Sequence, residues 1–418
     1  MLRYNYLYSV NKQSMLPTPL GNRDLIRAIN RSIILNTIKT IGPVARAEVA
    51  RQTGLSPATV TAITADLIDE ELIFEKQTGD SSGGRRPILL AINPGGRYVA
   101  GIKLMEDQAV GALTDLEATI ITRQTVALPA NPAAAGHEPE VILAALARMV
   151  DGLLAQAAVP RSRLLGVGLG LAGIVDSERG LLRQSPYMGW TDLPVRDLLQ
   201  AKVNVPVYID NDVNTLTLAE KWFGAGQDVD DFLTITVGRG IGMGIVVNRQ
   251  FYRGGRGGAG EFGHTVVDPD GPLCDCGKRG CLETFVGDPG LVRMANAALD
   301  RPVASVDELL GRAEAGDEPA QAVFGRAGAI LGRAVANLVN IFDPQRIIIS
   351  GEGARVGKWL FDPMCAAVDQ HAMPALRSDV RISIEPWGDD AWARGAASLV
   401  LRELFESPVH QETATVLA

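Results

Sequence analysis

Three cysteines fall within eight residues, at Cys274, Cys276 and Cys281, and one of only four histidines, His264, stands ten residues before the first of them. Three thiolates and one imidazole complete the tetrahedral shell of a structural zinc ion and leave no open position for water. Gly277 and Gly280 give the intervening chain the freedom to fold back so that the sulfurs converge. The alternative for such a loop is a set of buried, inert thiols. Four cysteines in a chain of this kind do not make a disulfide framework, and the isolated Cys365 suits a core position.

A second group is polar. Asp210-Asn211-Asp212-Val213-Asn214 follows an apolar run, and Glu261 and Glu283 flank the cysteine loop. Carboxylates and carboxamides suit polyols, because each exchanges directional hydrogen bonds with neighbouring hydroxyls. A carboxylate at the C-terminal end of a strand also stands where α/β sheets bind ligands. The same five residues read equally well as an Asx turn that caps a helix.

The elements that must position these groups alternate. Tyr98 to Leu104, Ala109 to Thr114, Leu164 to Leu171, Val205 to Asp210, Phe232 to Val247 and Arg346 to Ser350 read as strands. Glu140 to Ala158, the stretch from Asp210 to about Trp222, and Pro319 to Ile341 read as helices, and Trp392 to Leu404 as a last helix that packs back on the first part of the body. Such alternation defines an α/β body, which begins after the linker signal Asn93-Pro94-Gly95-Gly96.

The first quarter has another pattern. Ile26, Ile29 and Ile33 predict an amphipathic helix over 23–40, stopped by Gly42-Pro43. A short helix over Arg46 to Gln52 and the glycine turn Thr53-Gly54-Leu55 come next. Ser56 then caps, and Pro57 opens, a helix that runs to about Asp69. This is helix-turn-helix spacing. Val60, Ile63 and Leu67 share its inner face, while Ala58, Thr61, Ala62 and Ala65 share the outer one, with Thr59 at the edge. A small-residue face can lie close to a major groove, with Thr61 and the alanines against thymine methyls. Leu72 to Glu75 and Leu89 to Ile92 read as paired strands around a polar wing, Gln77 to Gly84. Arg85 and Arg86, held extended by Pro87, suit a narrow minor groove. Arg46, Ser56, Thr59, Thr61, Arg85 and Arg86 are the candidate DNA contacts, and a small three-helix unit used for protein contacts is the alternative.

Composition sets few limits on this reading. The chain has 418 residues, 46% hydrophobic and 21% charged, enough for two or three domains. Its net charge of −8 speaks against nucleic acid only as a whole-chain average, because the docking face decides. Arg23, Arg27, Arg31, Lys39, Arg46 and Arg51 crowd one early stretch. No run approaches the roughly 18 apolar residues of a membrane span, and the start does not read as a signal peptide, so a cytoplasmic location is expected.

Together, Glu261-Phe262-Gly263-His264, Cys274-Asp275-Cys276-Gly277-Lys278-Arg279-Gly280-Cys281-Leu282-Glu283, Asp210-Asn211-Asp212 and Asn340-Ile341-Phe342-Asp343-Pro344 resemble the ROK family, which groups bacterial repressors with sugar kinases. The resemblance spans nearly all of 97–418, and the helix-turn-helix in front resembles that of the repressor branch. It implies an α/β fold: a winged helix-turn-helix at 21–93 behind an extension at 1–20, then a two-lobed, actin-like body at 97–418 with a zinc loop at 264–281. It also implies that Asn211, Asp212, Glu261, His264 and Glu283 contact sugar, that Gly173 gives close backbone approach, and that structural zinc braces the pocket. The family's kinases use the residue matching Asp212 as the base that deprotonates a sugar hydroxyl.

Three departures bear on activity. Kinases of the family open the body with an Asp and a Gly-Gly-Thr turn that wraps the ATP phosphates. Here Lys103 stands for the Asp, and Met105 and Glu106 for the two glycines. In Val237-Gly238-Arg239-Gly240-Ile241-Gly242, Arg239 replaces the usual Thr. Tyr187, after Pro186 and before Gly189-Trp190, replaces an Asn. A base without a phosphoryl donor cannot transfer phosphate. The expectation is therefore a sugar-responsive, DNA-binding regulator that is not an enzyme, working on operator DNA as a homodimer or higher oligomer. An active sugar kinase with an added DNA-binding domain, and a regulator controlled by a partner protein, are the alternatives.

Overall fold

The computed structural model describes residues 23–77, 88–129, 137–185, 187–385 and 389–405. They gather into two compact units, one built from 23–66, 75–77, 88–91 and 405, the other from 67–74 and 92–404.

The N-terminal elements are helices Arg23–Ile41, Arg46–Thr53 and Pro57–Asp69 and a three-stranded sheet with Val44–Ala45 and Ile73–Gln77 on either side of Ile88–Ile92. Gly54 ends the second helix in the left-handed region, φ 70°, and its N–H closes on the Ala50 carbonyl at 3.0 Å; glycine takes this conformation without a Cβ clash. Ser56 Oγ accepts the Thr59 N–H at 3.1 Å and so caps the third helix. Val60, Ile63 and Leu67 are buried, while Ala58, Thr61, Ala62 and Ala65 are exposed and Thr59 lies between.

The first helix corrects the sequence reading. Ile26 and Ile33 are 49% and 38% exposed, and the buried stripe is Ile34, Leu35 and Ile38. Two apolar stripes overlap on this helix, and the one that docks is chosen by the elements it meets.

In the second unit, two five-stranded sheets share one topology. The first runs Ile120–Ala127, Gln108–Thr114, Tyr98–Leu104, Leu164–Leu171, Val207–Asn211; the second runs Gln250–Phe251, Ile241–Val247, Phe232–Val237, Arg346–Ser350, Arg381–Ile384. Each opens as an antiparallel meander and then adds two parallel strands. Parallel neighbours require crossover connections, supplied by helices Pro139–Gln156 and Val195–Val203 in the first half and Glu318–Phe342 and Lys358–His371 in the second. The strand Ile120–Ala127 has no clear signal in the sequence. Its alternating half-buried and exposed positions carry Arg, Gln and Thr, which leave little apolar alternation to read.

The helix that ends each half packs against the other half's sheet. From the first half, Asp212–Phe223 lies on Ile241–Val247, where a Cβ on Gly244 would come within 2.0 Å of Thr217 Oγ1. From the second, Asp389–Phe405 lies on Tyr98–Leu104 and Leu164–Leu171. There a Cβ on Gly101 or Gly168 would sit 2.0 or 1.8 Å from the Ala393 or Ala396 carbonyl oxygen. The expected return of the last helix to the first lobe is found. Among the described residues one helix, Glu318–Phe342, is long and apolar enough to cross a membrane, but 67% of its apolar window is buried in this fold, as suits a core helix.

Candidate functional site: a carboxylate-lined cleft beside a thiol cluster

Asp212 opens the helix Asp212–Phe223 directly after strand Val207–Asn211. Asn211 caps that helix, its Oδ1 accepting from Val213 N at 2.9 Å and Asn214 N at 3.3 Å, while its Nδ2 donates to the Gly173 carbonyl at 3.0 Å. The capping reading therefore holds for Asn211, whose amide ties two loops together. Gly173 has φ 127°, and a Cβ there would meet the Gln184 carbonyl oxygen at 2.2 Å, so glycine is required. Beneath the turn, the buried Asp210 accepts two bonds from Arg253, at 2.8 and 2.7 Å, and one from Asn214 Nδ2 at 2.8 Å. Sequence reasoning missed Arg253, which lies 43 residues away and has no motif.

Asp212 makes no side-chain ion pair within 4 Å among the described residues. Burial raises its carboxyl above the ordinary range, and the Lys103 ammonium opposes that shift. Burial also raises Glu261, opposed by His264 and reinforced by the charges of Glu283 and Asp212. Glu283 accepts the Ile241 N–H at 3.0 Å. Gly240 makes room for it, since a Cβ there would sit 2.7 Å from Glu283 Oε2. Glu261 thus lies within the fields of both Glu283 and Asp212.

Glu261 and His264 bracket a 3₁₀ turn, Phe262–His264, pressed on strand Ile241–Val247. Cβ atoms on Gly260 and Gly263 would come within 1.9 Å and 2.3 Å of the Met243 and Ile241 carbonyl oxygens. This close approach fixes both side chains. His264, Cys274, Cys276 and Cys281 bring one ligand atom each to within 4.8 Å of one another. Cys274 Sγ lies 3.5 Å from His264 Nδ1, and Cys276 Sγ lies 3.6 Å from Cys281 Sγ. A tetrahedral zinc with bonds of about 2.3 Å to sulfur and about 2.05 Å to nitrogen sets the S–N edge near 3.6 Å and the S–S edge near 3.8 Å. Burial, with its thiol neighbours, pushes Cys281 up to about 12, so a cation is what would let all three ionise. The residues fit a metal. Cys365 is partly buried against the second lobe's core, as expected.

Lys103, Glu106 and Arg239, the departures noted in the sequence, make contacts with other side chains. Lys103 is buried, its Nζ 3.5 Å from the Trp392 ring centroid and 3.7 Å from Glu352 Oε1. Arg239 forms an ion pair with Glu106 and lies over the Tyr187 ring, 4.7 Å from its centroid.

Of the candidate DNA contacts, Thr61 is exposed and donates to the Pro57 carbonyl at 2.8 Å, and Thr59 shares a 2.8 Å bond with Ser56. Arg46 is committed within its own unit, with Nε on Thr64 Oγ1 at 3.1 Å and a terminal nitrogen on Glu75 at 2.7 Å. Arg85 and Arg86 lie outside the described residues.

A duplicated meander-plus-parallel sheet in two lobes, with a polar cleft between them and helix-turn-helix elements in front, defines a regulator built on an actin-like sugar-kinase body. The family model described as ROK family matches residues 99–403, and the chain belongs to the ROK family. It is 30% identical over 401 residues to the xylose repressor of Caldicellulosiruptor bescii, covering 93% of this chain and 99% of that one. Among solved structures it is similar to a ROK family transcriptional regulator described as a homolog of the E. coli MLC protein, with a TM-score of 0.82, 26% identity, and coverage of 94% and 100%. A ROK family glucokinase from Streptomyces griseus, in complex with glucose and AMPPNP, matches with a TM-score of 0.62, 30% identity, and coverage of 72% and 98%.

Proposed function

We propose that this protein is a DNA-binding transcriptional repressor whose kinase-like body binds a small sugar and does not transfer phosphate. One observation carries the reading. Asp212, Glu261 and Glu283 lie close enough for their charges to interact, while Lys103 is held by Trp392 and Glu352, and Arg239 by Glu106 and Tyr187, at the positions where the resemblance expects phosphate turns. Repressor names among the full-length relatives support the first half of the reading, and the cleft supports the second.

Asp212, Glu261 and Glu283 would take hydrogen bonds from sugar hydroxyls, with Gly173 giving backbone approach and Asn211 holding the turn. His264, Cys274, Cys276 and Cys281 would hold a zinc ion, which supplies rigidity and a fixed histidine orientation. Without a phosphoryl donor site, Asp212 serves as a binding carboxylate. The outer face of Pro57–Asp69 would enter the major groove, with Arg85 and Arg86 at the wing. Sugar closes the lobes of a homodimer in the cytoplasm and so changes the spacing of its two DNA heads, which half-site geometry requires to be fixed.

The test is operator binding by fluorescence anisotropy across a panel of free and phosphorylated sugars, with ATP turnover measured in parallel. A sugar that shifts operator affinity in the wild type and not in Asp212→Ala supports the reading. Sustained sugar-dependent ADP release overturns it in favour of an active kinase, and binding without any change in operator affinity overturns the coupling.

A further inference from the structure

Glu106 and Arg239 occupy equivalent hairpin turns of the two halves. Glu106 joins the first two strands of the first sheet, Tyr98–Leu104 and Gln108–Thr114. Arg239 joins the first two strands of the second, Phe232–Val237 and Ile241–Val247. Their ion pair crosses the cleft. Arg239 also lies over the ring of Tyr187, which stands between strands Leu181–Ser185 and Trp190–Leu193. A Cβ on Gly240 would lie 3.5 Å from the Tyr187 hydroxyl and 2.7 Å from Glu283 Oε2, so the phenol and that carboxylate border the same small space. Burial raises the phenol's pKa, and the charges of Glu283 and Asp212 raise it further. The hydroxyl therefore stays protonated and can donate toward a ligand held by those two carboxylates.

We propose that Tyr187 is a wall of the sugar site that sets which sugar is accepted, and that Arg239, pinned by Glu106, is the positioning residue that holds its ring in place. The inference rests on the sugar-binding reading above. It gives the residues that replaced the phosphate turns a second use: they shape the pocket instead of cradling a nucleotide. The ring fills space beside Gly240 and Glu283 that a smaller side chain would leave open, so the site favours small, unsubstituted sugars over those carrying an N-acetyl group. Arg239 and Glu106 are 59% and 42% exposed, and exposed pairs are weak, so breaking this one shifts selectivity only about three- to fivefold. Removing the ring itself shifts it more than about tenfold.

The experiment is isothermal titration calorimetry of the full chain with D-xylose, D-glucose and N-acetyl-D-glucosamine. The variants are Tyr187→Asn, Arg239→Ala, Arg239→Lys, Glu106→Ala, Tyr187→Asn with Arg239→Ala, and Asp212→Ala, each checked for an unchanged melting temperature. The expected result is a shift of the affinity ranking toward N-acetyl-D-glucosamine in Tyr187→Asn, and a smaller shift the same way in Arg239→Ala and Glu106→Ala. Arg239→Lys, which keeps a cation over the ring, restores the ranking. Arg239→Ala adds nothing once Tyr187 is gone, because coupled residues are not additive. Binding lost in Asp212→Ala but ranked identically in Tyr187→Asn overturns the inference and leaves the sugar site standing. So does an additive Arg239→Ala effect, for the positioning role. No binding of any sugar by the wild type overturns the sugar-binding reading itself, and this inference with it.

Discussion

His264 and Glu261 face each other across 3.8 Å, ring Nε2 to carboxylate oxygen, while the ring's Nδ1 points into the thiol cluster. The histidine thus stands between the thiol cluster and the Glu261 carboxylate.

Stripping metal with a strong chelator should therefore lower thermal stability and sugar affinity together. Metal analysis of untreated protein should give about one zinc per chain. Cys276→Ser, which changes an exposed candidate ligand, should weaken sugar binding, but by less than Asp212→Ala does. Calorimetry on the chelated protein tests the link; full sugar affinity after complete loss of metal would break it.

Arg253→Ala should be among the most damaging single changes in the body. It strands the Asp210 carboxylate, which is 1% exposed, at a cost of about 3–5 kcal/mol. Arg253→Met combined with Asp210→Asn removes both charges and should recover most of that loss, as read by urea unfolding.

Stability should also fall as pH rises through a window set by Glu220. This carboxylate is fully buried, with Oε2 on Ala225 N at 2.8 Å and Oε1 without a partner. Burial lifts it from 4.5 to about 7, Glu385 adds to the lift, and Arg346 opposes it. The folded state thus binds its proton more tightly than the unfolded chain. Its contribution is complete below about pH 4.5 and is lost as pH rises to about 7. Glu220→Gln should flatten the profile and gain about 3 kcal/mol at pH 8, as measured by unfolding at matched pH values.

On the N-terminal unit, Ala62→Glu should abolish operator binding by setting a carboxylate against phosphates. Because Ala62 is exposed, stability should move by less than about 0.5 kcal/mol. Anisotropy with operator DNA and a parallel melt separate the two effects.

Local signals were legible where chemistry and geometry coincide in a few residues. Ser56 with Pro57 announced a helix start, Gly54 its preceding turn, and three cysteines with one histidine a convergent cluster. What could not be read was the choice among local options made by distant partners. Ile26 and Ile33 match a helical stripe as well as Ile34 and Ile38 do, and only packing decides between them. Lys103, Glu106 and Arg239 stood out as departures, but their partners Trp392, Arg239 and Tyr187 lie up to hundreds of residues away and carry no spacing signal. Asp210 shares a motif with Asn211 and Asp212, and nothing in the sequence pairs it with Arg253, which the fold does.

The helix Asp389–Phe405 covers Gly101 and Gly168 on strands Tyr98–Leu104 and Leu164–Leu171. A ribosome adds about 290 residues between the first strand and the helix that seals it, which at roughly 5–20 residues per second takes about 15–60 s. The first lobe begins synthesis early and is completed last. Until then its glycine-lined sheet face stays open, and the N-terminal helix-turn-helix elements emerge long before the body behind them can close on anything.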